Sequence, residues 1–290
     1  MTTTGIPSFR PTLMGGTHAV STGHYLATAA GYRILEQGGN AIDAGVAAGI
    51  SLNVVLPSST SFGGVAPILI YSAGQEGVSS ISGLGRWPRA ASREHFSENR
   101  NGTIPQGVER VVVPAAADAW MTALVEHGTM SFEQVVTPAL EYARDGIAVG
   151  AILARSMASF AEQAEQWPTR TEAFTSDGHF PHLGELLRQP ALAHTFERLI
   201  EVERKNSSHG RERAIQAARE FFYKDEIAEE IVSFVQDNGG FLSMSDMEDF
   251  SVGHEPPEIG LFHEYEVYTN GPWSQDPAFA EALQLLVSRL

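Results

Sequence analysis

Residues 18–71 read HAVSTGHYLATAAGYRILEQGGNAIDAGVAAGISLNVVLPSSTSFGGVAPILIY. Their succession of helix, glycine stop, small-residue helix, turn and apolar strand decides the kind of fold the chain can form. Leu26, Ala30 and Ile34 fall on one face of a helix over 25–37. Gly38-Gly39 supplies the left-handed backbone that ends such a helix. Asn40 then caps a second helix, with Asp43 in its first turn set favourably against the helix dipole. Ala44, Ala47, Ala48 and Gly49 give that helix small side chains, which permit close approach and suit burial beside a sheet. Pro57 stops it. The turn Pro57-Ser58-Ser59 with Gly63-Gly64 leads into 65–71, expected to be a strand buried on both faces.

Further along, 77–82 reads as a second strand, 83–107 as a polar, irregular region after the run Gly83-Leu84-Gly85-Arg86-Trp87-Pro88, and 107–113 as a third strand ended by Pro114. From there to about Asn238 the pattern is helical. Ser131 and Gln134 have capping-box spacing and Gly146 sits where a helix stop belongs. Amphipathic helices are expected over 184–206 and 209–238, closed by Gly239-Gly240. A pair of short strands follows over 258–269, then a final helix from Pro277. The chain contains no internal repeat, low-complexity tract or linker, so 1–290 is expected to be a single domain with a helical lobe at about 114–240.

With 43% apolar and 19% charged residues, the composition is that of an ordinary globular protein. Nineteen Lys and Arg against 35 Asp and Glu give a formal charge of −16, which repels phosphate backbones and anionic lipid and argues against nucleic-acid or membrane partners. The absence of Cys removes disulfides, thiolate zinc sites and a Cys nucleophile. The opening residues lack a basic stretch followed by an apolar one, from which a cytoplasmic location is expected.

Residues 18–71 resemble the start of the large subunit of the gamma-glutamyltransferase family, self-cleaving amidohydrolases of the N-terminal-nucleophile superfamily. Other segments are similar to the same family: Val113-Pro114, the helix over 131–149 with Pro138 inside it, Phe221-Phe222-Tyr223-Lys224, Gly239-Gly240-Phe241-Leu242 and the acidic 246–250. The resemblance implies an α+β fold, a four-layer αββα sandwich of which this chain is the large-subunit part, incomplete without a small subunit. It also implies a reaction: a Thr at the start of the small subunit of the same precursor attacks a gamma-glutamyl or related amide, and the acyl group passes to water or an amine. No matching Thr motif occurs here, so no catalytic residue is assigned and this chain alone is expected to be inactive. No cofactor or metal is implied. A higher oligomer stays open.

For substrate contacts, the run from Ser82 to Pro88 is similar to the family's strand-Arg-x-x-Pro segment, whose Arg binds the alpha-carboxylate of the glutamyl group. That implies a carboxylate fork at Arg86, with Trp87 beside it. A guanidinium suits this role because it offers two parallel hydrogen bonds and stays charged. The alternative for Arg86 is a solvent-exposed or ion-paired loop residue. Gly271-Pro272-Trp273-Ser274-Gln275-Asp276-Pro277 stands where the family has a Pro-Pro-Ser-Ser-Gly-Gly run. The shared position implies a pocket wall at Trp273, Ser274 and Gln275, and the changed residues leave a non-glutamyl amide open as the substrate. Gly63-Gly64 either brings backbone close to the pocket or merely permits the turn.

Other constellations carry less. Gly16-Thr17-His18 would yield an N-terminal Thr only if the chain cleaved itself there. His254-Glu255-Pro256-Pro257-Glu258 lacks the second His of a zinc-protease helix, and its prolines forbid that helix. His179 and His182 lack a third ligand and read as surface residues. No GxxxxGK[ST], GxGxxG or GxSxG occurs. A non-catalytic scaffold or binding protein that keeps only the pocket half of the fold is the second reading.

Overall fold

The computed structural model describes residues 12–74, 77–175 and 178–287. Helix α1 (Tyr25–Glu36) buries Ala27, Ala30, Gly31 and Ile34, residues three and four apart that share one face. Gly31 marks its closest approach to the next helix, since a Cβ there would lie 3.0 Å from the Ala44 carbonyl oxygen. Gly38 adopts a φ of 91°, ending the helix. Helix α2 (Ala41–Val55) opens with a reciprocal cap between Asn40 and Asp43. Asp43 is fully buried, and its carboxylate also accepts from the Thr129 N–H and hydroxyl and the Met130 N–H. One side chain thus ties the start of α2 to the loop at 128–130. At the other end Gln189 Nε2 donates to the Val54 carbonyl at 2.8 Å.

Strands β1 (Ile68–Ser72) and β2 (Gly77–Ile81) pair antiparallel. β1 is not buried on both faces: Ile70 is 4% exposed, but Leu69 and Tyr71 are 37% and 68% exposed. Helices cover one face only, and the strand starts later than expected because Pro67 has no N–H to give and Ala66 N–H goes to the Gly83 carbonyl. The region expected to be irregular contains α3 (Arg93–Asn99), capped by Ser92. No strand forms over 107–113. Val108–Arg110 is a 3₁₀ turn, and the Arg110 guanidinium donates to the Ile104 and Pro105 carbonyls, which curls the segment.

The helical lobe comprises α4 (Ala116–His127), α5 (Phe132–Asp145), α6 (Ala151–Glu162), α7 (Pro168–Phe174), α8 (Pro190–Asn206), α9 (Arg211–Lys224), α10 (Glu226–Asp237) and α11 (Met244–Glu248). A two-residue ladder of β3 (Ile147–Ala148) with β4 (Leu186–Leu187) lies among them. The Ser131–Gln134 capping box is present, and Gly146 ends α5 with φ 96°. The helix expected over 184–206 begins only at Pro190. The one expected over 209–238 is two: Asp225 is extended, which lets Phe222 and Tyr223 at the end of α9 and Ile227 and Ala228 at the start of α10 all enter the core. α2 packs against α1, α4 and α5 and forms the centre of that core.

After α11, the short β5 (His254–Glu255) pairs with β2, giving the sheet order β1-β2-β5. Strands β6 (Glu258–Phe262) and β7 (Tyr265–Thr269) form a separate hairpin, and α12 (Asp276–Val287) packs on β6 without burying any residue of its own. The fold is α+β. Ile259, Leu261 and Phe279 are all more than half exposed, so the hairpin and α12 present an uncovered apolar surface.

Candidate functional site

The segment after β2 is held by close backbone contacts. Ser82 N–H donates to the Gly253 carbonyl, Gly253 N–H to Ser82 Oγ, and Val113 N–H to the Arg86 carbonyl, each at 2.9 Å. Gly83 and Gly85 make this possible. A Cβ at Gly83, whose φ is 47°, would meet the Ala66 carbonyl oxygen at 1.9 Å, and one at Gly85 would meet the Val113 carbonyl oxygen at the same distance. Pro88 is buried. Arg89 is bound to α11, through its N–H to Asp246 and its guanidinium to Asp249 and the Ser245 carbonyl.

Arg86 differs from Arg89. Its backbone is fixed, its side chain is exposed, and its guanidinium forms no hydrogen bond or ion pair with any described residue. Trp87 is 46% exposed and meets Phe96 edge-on at 6.0 Å. His95, Phe96 and Phe241 continue that aromatic cluster, and His95 Nε2 lies 3.1 Å from Glu109 Oε2. Trp87 lines a cleft of about 540 Å³ with Arg93, Phe96 and Ile104, of which Arg86 is not part.

The turn at 271–275 hangs from Ser80, next to the end of β2. Ser80 Oγ donates to Asn270 Oδ1 at 2.9 Å, and Asn270 Nδ2 donates to Asp276 Oδ2 at 2.7 Å. The Ser274 hydroxyl is engaged within the turn, donating to the Gly271 carbonyl and accepting from Asp276 N–H. Trp273 Nε1 donates to Glu255 Oε2 at 2.6 Å. Gly271 allows the indole to fold back, since a Cβ there would stand 2.7 Å from Trp273 Nε1. Gln275 is exposed. Arg86 and Trp273 therefore hang on one strand, Arg86 beyond its end and Trp273 across β5 from Ser80, but they share no contact.

Gly63-Gly64 anchors the next helix. The Gly64 carbonyl accepts from the Ala115 and Ala116 N–H groups, both at 2.9 Å, holding the start of α4. Thr17 is exposed, with Oγ1 3.0 Å from His18 Nδ1. His179 and His182 stack at 5.5 Å beside Glu185, whose carboxyl is held below its usual range by the His182 N–H and the His179 ring. Among the described residues there is no group of three His, Cys, Asp or Glu placed to hold a metal, and no helix is long and apolar enough to cross a membrane.

Sequence reasoning missed an extensive buried polar network. Asp118, 1% exposed, takes the Arg219 guanidinium on both carboxylate oxygens and accepts from Val252 N–H and the Thr122 hydroxyl. Tyr223 Oη accepts from Asp118 N–H and donates to the Pro114 carbonyl. Burial pushes the Tyr223 phenol well above its usual value, and the bond to Asp118 raises that of Arg219. Both groups keep their protons and the network stays fixed. It joins α4, α9 and the segment leading to β5, and forms one wall of a cleft of about 530 Å³ that also contains Glu126 and His254.

Comparison with known proteins bears on what this arrangement does. The family model for gamma-glutamyltranspeptidase matches residues 27–289. The glutathione hydrolase-like YwrD proenzyme of Bacillus subtilis is 30% identical over 91% of this chain and 47% of its own length. Glutathione hydrolase proenzyme 1 of Schizosaccharomyces pombe is 32% identical over 96% of this chain and 41% of its own. The crystal structure of Helicobacter pylori gamma-glutamyltranspeptidase superposes with a TM-score of 0.81 at 25% identity, covering 91% of this chain and 73% of that one. The chain spans about half the length of the curated relatives it matches.

Proposed function

The chain belongs to the gamma-glutamyltranspeptidase family, and from that membership we propose that it supplies the carboxylate-binding half of an enzyme that cleaves gamma-glutamyl or closely related amides. The observation that carries this reading is Arg86: a guanidinium without a partner among the described residues, on a backbone anchored at Gly83, Gly85 and Val113. Arg89 and Arg100, by contrast, are engaged, Arg89 with α11 and Arg100 with Glu109. An unpaired guanidinium on an anchored backbone is suited to a ligand carboxylate.

In the proposed reaction the Oγ of an N-terminal Thr, on a small subunit from the same precursor, attacks the amide carbon while its own α-amine takes the proton. The C–N bond breaks, the amine leaves carrying that proton, and an ester to Thr remains. Water or a second amine then attacks the ester, releasing the acyl group and restoring the hydroxyl. Arg86 holds the far end of the acyl chain, with Trp87 and the Trp273–Gln275 turn flanking the substrate. The small subunit docks on the open surface of β6 and α12 and extends the sheet, because neither β1 nor β5 has a further neighbour among the described residues.

Paired substrates provide the test. In the assembled enzyme, Arg86→Ala is expected to impair hydrolysis of amides that carry the α-carboxylate far more than of analogues that lack it. Equal impairment of both would make Arg86 structural, and absence of amide cleavage by the assembled wild-type protein would favour a binding protein.

A further inference from the structure

Helices α4 and α9 run antiparallel, since Asp118 takes the Arg219 guanidinium at one end and the Val125 carbonyl takes that of Arg211 at the other. The cleft of about 530 Å³ lies between them and is closed by Ser251, Val252 and His254. Its lining carries three carboxylates, Asp118, Glu126 and Glu220, against one guanidinium, that of Arg219. Asp118 and Arg219 neutralise each other, which leaves an acidic group toward each end. Glu220 follows Arg219 directly on α9, whereas Glu126 stands two turns beyond Asp118 on α4, about 12 Å along the axis.

Several polar atoms in this cleft are unspent. Arg219 gives Nε and Nη2 to Asp118 and the Phe250 carbonyl, and rests one face over the Tyr223 ring. Its Nη1 bonds to no described residue and, unlike the Nε of Arg170, is not sealed from solvent. Two charged N–H donors therefore stay open in a side chain that is otherwise held rigidly. The Gln216 amide and the Ser251 hydroxyl also bond to no described residue, and both residues are exposed. Gln216 lies one turn before Arg219 on the same helix face, and Ser251 follows the Phe250 carbonyl that Arg219 holds. Donors thus gather around Nη1. The acceptors lie to either side: Glu126 spends Oε2 on His254 at 2.9 Å and has Oε1 to spare, and Glu220 has only Arg213 near it, at 3.6 Å.

We propose that this cleft binds a basic α-amino acid of the lysine type in an extended pose along α4 and α9. Its carboxylate accepts from Arg219 Nη1, Gln216 and Ser251, its α-ammonium donates to Glu220, and its side-chain ammonium reaches Glu126. A net-positive ligand matches the surplus of carboxylates, and a simple anion is repelled by it. The cleft shares no lining residue with the Arg86 segment or the 271–275 turn, so the proposal does not depend on the amidohydrolase reading.

The test is calorimetric titration of the purified protein with L-lysine at physiological ionic strength. L-norleucine, which lacks the terminal ammonium, and cadaverine, which lacks the carboxylate, serve as comparisons. Lysine is expected to saturate with a Kd on the order of 1 mM or tighter. Each comparison compound should bind at least about fivefold more weakly, having lost one charge-assisted contact. Glu126→Gln retains an acceptor for His254 and should bring lysine down to the level of norleucine without changing norleucine itself. Gln216→Ala, at an exposed position, should weaken lysine and norleucine alike. Equal binding of lysine and norleucine, equal binding of lysine and cadaverine, or no saturation by lysine would overturn the proposal. So would a preference for lysine that persists undiminished in Glu126→Gln.

Discussion

The Asp118 carboxylate receives the Arg219 guanidinium on both of its oxygens, a pairing 101 positions apart in sequence that locks α4 to α9. Asp118 is almost wholly buried and Arg219 retains 20% side-chain exposure. Removing one member of a buried pair leaves the other uncompensated, which typically costs about 3–5 kcal/mol. Asp118→Asn is therefore expected to lower the urea midpoint sharply. The double change Asp118→Leu with Arg219→Met should recover much of the loss, and a double mutant no better than the single would show that the pair contributes by more than mutual compensation.

Arg86 is exposed and unpartnered, so its replacement should leave Tm nearly unchanged and act on kinetics. Truncating the partner of a desolvated carboxylate costs about 2–5 kcal/mol. Arg86→Ala should then reduce kcat/KM on carboxylated substrates by roughly 30-fold to several thousandfold. Arg86→Lys should fall between, keeping the charge but losing the planar fork.

Gly85→Ala places a methyl group 1.9 Å from the Val113 carbonyl oxygen. The two backbones must separate, breaking the bond from Val113 N–H to the Arg86 carbonyl. Thermal unfolding should show a loss of at least about 1–3 kcal/mol, and carboxylate discrimination should fall with it although Arg86 itself is intact. Wild-type discrimination in this variant would mean that the backbone anchor does not position the guanidinium.

Glu203 of α8 is buried against the start of α5 and accepts from Phe132 and Glu133 N–H groups, both at 2.7 Å. Burial raises its carboxyl above the usual 4.5, although those N–H bonds oppose the shift. The folded state therefore holds the proton longer than the unfolded chain. The resulting stability is fully present below pH ~4.5 and is lost as pH rises through the elevated folded value. Urea titrations of the wild type and Glu203→Gln should show their difference in stability shifting against the wild type over that window and level below it. A slope of the opposite sign would mean that the helix N–H groups outweigh burial.

A polypeptide of residues 1–290 by itself should self-associate through the apolar surface of β6 and α12. Leu261→Lys with Phe279→Lys should suppress this in sedimentation velocity, since both residues are more than half exposed. A monodisperse wild-type monomer would show that this surface needs no cover.

What the sequence revealed depended on range. The α1–α2 pair was legible because its signals are local: Gly38, the Asn40–Asp43 cap and a run of small residues. α3 was not, since it buries nothing and leaves no apolar stripe. The stretch 107–113, with four Val, looked like a strand, but Arg110 found carbonyl partners a few residues back and turned it into a loop. Arg86 stood out through its family resemblance, and its want of a partner was visible only in three dimensions. The Asp118–Arg219 pair leaves no signature in spacing, because it is defined by distant segments.

The two tethers on α2, Asp43 at its start and Gln189 at its end, divide the molecule by how readily its parts open. Amide hydrogens along α2 should exchange with solvent only when the whole fold comes apart, because freeing either end exposes a buried polar group. Those of α12, which buries no residue, should exchange through brief local opening. A protease added to the isolated polypeptide should therefore trim it from the hairpin and α12 inward, and stop where β5 joins β2.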